Sequence, residues 1–123
     1  MQIKKTYNEV NPELLYYEIK DFAAKQGAIV SGDNLQTYSM PNDSASFMSR
    51  GTITFKMPDA LGSTEKECLS AHIVGSARGE TKLLLDIDEK IFPQPKVSAL
   101  QNDLDFMVGS YEVKPGQESV RNA

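Results

Sequence analysis

The sequence predicts an α+β fold: a single curved antiparallel β-sheet with an N-terminal and a C-terminal helix packed on one face, in the order β-α-β4/5-α. Three observations carry this. Apolar residues recur at helical spacing in two segments, one near each end of the chain. Between those segments they alternate with polar residues at period two. Every link between successive strands is too short for the crossover that a parallel pair requires. A sheet with one apolar face must cover it, and only the two helices are available to do so.

Taking the elements in order, Ile3, Lys5 and Tyr7 alternate with Lys4, Thr6 and Asn8, which predicts an edge strand over 2–9. A helix over 12–26 follows. Asn11 is suited to cap its free N–H groups and Pro12 to occupy its first position. Val10 and Leu15 have the spacing of a hydrophobic staple, and Leu15, Ile19, Phe22 and Ala23 form its apolar stripe. Asp21 and Lys25 make an i,i+4 pair, and Gly27 supplies a left-handed stop. Residues 28–40 fit either two short strands of a hairpin or one strand broken by a bulge, because Gly32-Asp33-Asn34 tolerates both.

Residues 41–44 form a turn, and a long strand spans 45–57. Its odd positions, among them Phe47, Ser49, Gly51, Ile53 and Phe55, face the core, while Met48, Arg50, Thr52, Thr54 and Lys56 face water. After a polar loop, the strand 67–76 turns Leu69, Ala71, Ile73 and Gly75 inward. A four-residue loop at 77–80 leads into the strand 81–91, with Leu83, Leu85, Ile87 and Ile91 inward. Phe92-Pro93-Gln94-Pro95 stops the sheet. A helix over 96–113 places Leu100, Leu104, Met107, Val108 and Tyr111 on one face. Residues 115–123 read as a disordered polar tail, leaving 1–114 as a single domain.

Composition narrows the function classes. A domain of 123 residues buries roughly two thirds of its unfolded surface, enough for a core without staples, and the single Cys68 offers no internal disulfide. Thirteen basic residues against 17 acidic ones give a net charge of −4, which argues against nucleic acid as a partner. Neither a secretory leader nor a run near the ~18 apolar residues of a membrane span is evident, so the expectation is a cytoplasmic protein with no membrane partner.

The strand pairing expected for 45–57 and 81–91 under the helix 96–113 resembles the helix-grip architecture of the START and Bet v 1-like (SRPBCC) superfamily. The resemblance is one of topology over residues 2–113. It implies a curved sheet that wraps the last helix around an apolar cavity, and hence ligand binding there.

Few side chains suggest chemistry. His72 is the sole histidine, so triads and paired-histidine metal sites do not arise. Cys68 and His72 lie roughly 13 Å apart along their strand, too far to share an ion. Asp86 and Asp88, about 7 Å apart, read as charges paired with Lys82 and Lys90, and Arg50 reads as a solvated residue on a polar face. No catalytic residue, metal site or cofactor is expected.

The small residues Ser49, Gly51, Ala71 and Gly75 on the core faces admit two readings. They permit close helix-to-sheet packing, or they leave room for a small apolar ligand lined by Phe47, Gly51, Ile53, Phe55, Ala71, Leu85 and Met107. Leu14, Tyr16 and Tyr17 lie off the main helical stripe and suggest an apolar patch for a homodimer. The function expected first is a noncatalytic binding module for such a ligand. The alternatives are a homodimeric interaction domain and a small enzyme using Arg50 or Asp86 with Asp88.

Overall fold

The structure, a computed structural model, describes residues 1–40, 43–58 and 64–113. The tip of the expected turn at 41–42, the loop residues 59–63 and the expected tail 115–123 lie outside the described residues. The chain runs β1 (Gln2–Asn8), α1 (Pro12–Lys25), β2 (Ile29–Met40), β3 (Asp43–Pro58), β4 (Glu65–Gly75), β5 (Glu80–Ile87) and α2 (Gln94–Val108), followed by a 3-10 turn at Gly109–Tyr111. The strands form one curved, unclosed antiparallel sheet in the order β1-β5-β4-β3-β2. This is the α+β fold that the sequence predicts.

Helix α1 begins where its cap chemistry places it. The Asn11 side chain accepts the Glu13 N–H at 2.9 Å, and Gly27 ends the helix at φ +92°, a conformation that favours glycine. Val10 and Leu15 are both buried. Lys25, however, reaches across to Asp103 of α2 at 3.4 Å rather than pairing with Asp21. A second tie joins the two helices, since Lys96 Nζ donates to the carbonyl of Gln26 at 2.5 Å.

Both helices lie on one face of the sheet. Ile3 and Tyr7 of β1, Leu83, Leu85 and Ile87 of β5, Leu69, Ala71 and Ile73 of β4, and Ile53 and Phe55 of β3 join Leu15, Ile19 and Phe22 of α1 and Val97, Leu100 and Leu104 of α2 in a single core. The opposite face is left uncovered among the described residues.

Several boundaries differ from the sequence reading, each for a local reason. Residues 29–40 form one bulged strand: the register slips between Val30 and Gly32, and the extra residue, Ser31, donates its hydroxyl to the Thr54 carbonyl at 3.1 Å. β4 carries another bulge, where Cys68 is passed over between the pairs Phe55↔Leu69 and Lys56↔Glu67. Cys68 is therefore buried instead of sharing the open face with Ser70, His72 and Val74. β5 ends at Ile87 and not at Ile91, because the Asp88 N–H is taken by the Cys68 carbonyl and the Asp88 carbonyl then accepts from Ile91 and Phe92 in a turn. α2 stops at Val108. Beyond the 3-10 turn, Val113 donates its N–H to the Thr6 carbonyl at 2.7 Å, and Glu112 bridges Tyr7, so the chain returns to the outer edge of β1.

Candidate functional site

The side chains expected to line a cavity under α2 divide into three groups. Ile53, Phe55, Ala71 and Leu85 are fully buried at the centre of the core. Gly51 is also buried, and a Cβ on it would lie 2.6 Å from Cδ2 of Tyr16. At this position the small residue serves close approach of α1 to the sheet. Met107 is half-buried at the margin of the core. Phe47 is 56% exposed, a correction to its expected place on the core face. Ser49, the next inward position after Phe47, meets Glu13 in the first turn of α1 at 3.4 Å, so Phe47 lies beyond the end of the covering helix. Tyr16 is likewise corrected: it is buried, and only Leu14 and Tyr17 of the expected patch are exposed.

Of the residues named for catalysis, Arg50 lies apart from Asp86 and Asp88. Arg50 is exposed, Asp86 is exposed near the end of β5, and Asp88 lies in the turn beyond, where its carboxylate accepts the Lys90 N–H at 3.0 Å. Among the described residues neither aspartate forms an ion pair with Lys82 or Lys90. A pocket of about 500 Å³ lies there, lined by Asp86, Asp88 and Glu67 with Ser70, Thr54 and the chain's first residue. No grouping of His, Cys, Asp and Glu suited to a metal ion occurs among the described residues. The Cys68 thiol is pushed up to about 11 by burial, with a minor contribution from the Asp88 charge, and it donates to the Phe55 carbonyl at 3.6 Å.

The uncovered sheet face carries a grouping that sequence reading missed. Strand register aligns Lys4, Leu84, His72, Thr52 and Asn34 in one row across the five strands. The adjacent row runs Thr6, Lys82, Val74, Arg50 and Gln36. These two rows contain three cations and the only histidine, and no carboxylate. Lys4, Lys82 and Arg50 are exposed and have no ion-pair partner among the described residues.

Two shallow pockets meet at His72 and Val74. One, of about 450 Å³, is lined by Lys4, Thr6, Lys82 and Leu84; the other, of about 360 Å³, by Arg50 and Thr52. Leu84 and Val74 are half-buried between the charges, giving the patch an apolar floor. Asp86 and Glu80 lie in the flanking rows, so the positive field ends at an acidic border. Period two marks each of these residues as water-facing, but their grouping depends on β1 pairing with β5, which the sequence does not state. Arg50 therefore stood alone until the strand order brought Lys82 and Lys4 alongside.

No protein-family model, curated protein sequence or solved structure matches this chain. No helix among the described residues is long and apolar enough to cross a membrane.

Proposed function

We propose that this chain is a noncatalytic binding module whose docking surface is the uncovered sheet face and whose partner is an acidic stretch of another protein. The observation that carries the proposal is the two-row patch of Lys4, Lys82, Arg50 and His72, with three unpaired cations in a chain of net charge −4. Unpaired charges of one sign, bordered on β5 by Asp86 and Glu80, steer and orient a complementary partner. Lys4 and Arg50 sit on strands three spacings apart, about 14 Å, which exceeds the reach of one small anion but suits an extended polypeptide. The overall negative charge favours spaced carboxylates over the unbroken polyanion of a nucleic acid. Half-buried Leu84 and Val74 would take apolar side chains interspersed among the acids.

A titration with a poly-glutamate peptide followed by amide chemical shifts tests this reading. Shifts centred on His72, Val74 and Leu84, weakened by salt and abolished in Lys4→Glu/Arg50→Glu, are expected. Absence of shifts at about millimolar peptide would reject it. So would equal binding by the double variant, or tighter salt-sensitive binding of single-stranded DNA at the same residues. Laurate in place of the peptide tests the expectation of an apolar ligand under α2, for which shifts would instead centre on Leu85, Leu104 and Met107.

A further inference from the structure

The two edges of the sheet are treated differently. β1 is bordered by the returning chain through Val113 to Thr6 and Glu112 to Tyr7, whereas among the described residues nothing pairs with the outer edge of β2. Edge strands are ordinarily guarded by lysine, proline, bulges or inward charges. β2 has neither lysine nor proline, and its register slips lie towards its two ends, between Val30 and Gly32 and between Ser39 and Met40, leaving 33–39 in unbroken register with β3. Its single charged residue, Asp33, is neutralised by an ion pair with Lys20, whose hydrogen bond also holds the Asp33 carboxyl below its ordinary value.

We infer that β2 pairs antiparallel with β2 of a second copy of this chain, making a continuous ten-stranded sheet across a two-fold axis at Gln36. Centring the pairing on the regular segment 33–39 sets Leu35 opposite Thr37, Asn34 opposite Tyr38 and Asp33 opposite Ser39. No like charges face each other, so the edge is complementary to itself.

Helix α1 gives independent support. Glu13 accepts from Thr37 at 3.1 Å and Lys20 pairs with Asp33, so α1 runs alongside β2 in the opposite direction. Interpolating between these two contacts puts the level of Gln36 between Leu14 and Tyr17, so the two flank the axis. Tyr17 and Leu14 are 56% and 47% exposed. α1 packs over β3, so the two helices would stand about three strand spacings apart, roughly 14 Å, a gap that two tyrosines reaching from opposite sides can fill. The axis runs perpendicular to the sheet, which places both uncovered faces on the same side of the dimer. The inference stands independently of what those faces bind.

Sedimentation equilibrium of the whole chain from about 1 µM to 1 mM is the test. A monomer–dimer equilibrium is expected, with dissociation raised at least about tenfold by Gln36→Lys, which sets like charges together at the axis, and by Tyr17→Glu. Phe106→Ser, on the outer side of α2, should leave it unchanged. In the unsubstituted chain, hydrogen exchange of the 33–39 amides should slow as protein concentration rises, a readout that does not require any variant to fold. A monomer throughout the range overturns the inference. A dimer insensitive to Gln36→Lys and Tyr17→Glu overturns it as well, and so does protection of 33–39 independent of concentration, which would reveal an occupant from the same chain.

Discussion

Tyr16 of α1 lies against Gly51 of β3 so closely that the missing Cβ of residue 51 would come within 2.6 Å and 3.0 Å of two atoms of its ring. Tyr16 is buried, and Leu35 would lie 3.4 Å from the same Cβ, so the added methyl group has little free space. Gly51→Ala should therefore destabilise the fold by roughly 1–3 kcal/mol through overpacking. In urea unfolding the midpoint should fall with the slope unchanged. Combining it with Tyr16→Leu should recover part of the loss, and a purely additive double variant would show that the contact does not limit packing.

Tyr7 poses the opposite problem. Its hydroxyl is fully buried and finds no hydrogen-bond partner among the described residues. Tyr7→Phe removes a polar group that gains nothing from burial, and stability should stay level or rise by up to about 1 kcal/mol. Burial, aided by the negative charges of Glu112 and Asp105, holds the phenol far above its ordinary value of 10.0. A raised folded-state value means that the contribution is complete below pH 10 and lost as pH climbs beyond it, because the unfolded chain then binds fewer protons. Above about pH 10, stability should fall more steeply in the parent than in Tyr7→Phe, by up to about 1.4 kcal/mol per pH unit. Parallel slopes in denaturant melts between pH 9 and 11 would contradict this.

Thr81 anchors the start of β5 to the entrance of α1, its buried hydroxyl donating to the Val10 carbonyl at 2.7 Å. Thr81→Val keeps the shape and the β-branch but strands that carbonyl. A loss of about 1–3 kcal/mol in thermal or urea unfolding is expected. Thr81→Ser, which retains the donor, should lose less of the hydrogen-bond contribution.

Cys68 gives a chemical reading of local opening. With its thiol raised from 9.0 to about 11, the folded protein carries about 100-fold less thiolate at a given pH than the unfolded chain. Ellman's reagent at pH 8 should react at least that much more slowly in buffer than in urea. A fast native reaction would mean that the bulge between β3 and β4 opens readily.

The legible part of this fold is the part written in local chemistry. Asn11, Pro12 and Gly27 bracket α1 through cap and stop preferences that operate within a few residues, and the alternation in β3, β4 and β5 fixes which face meets the helices. What escaped was set by distant partners. β5 stops at Ile87 because the carbonyl of Cys68, on the neighbouring strand, captures the Asp88 N–H. α2 stops at Val108 and the chain turns back to β1, although the apolar spacing continues to Tyr111. Phe47 obeys the period of its strand yet remains exposed, since period two assigns a face but not whether a helix extends over it. The candidate site follows the same logic: each cation was readable as outward-facing, and their assembly depended on strand order.

Strand order also has a temporal side. β1 pairs along its whole length with β5, Gln2 with Asp86 and Asn8 with Glu80, so a strand that leaves the ribosome ahead of β5 must wait for it. α1 and the meander β2-β3-β4 can organise from neighbouring segments meanwhile, but Ile3 and Tyr7 have no lasting partner until residues 80–87 are made. Such long-range closure slows folding and leaves a waiting strand open to wrong pairings. β1, made before every other strand of the sheet, thus takes its place only when its neighbour β5 arrives.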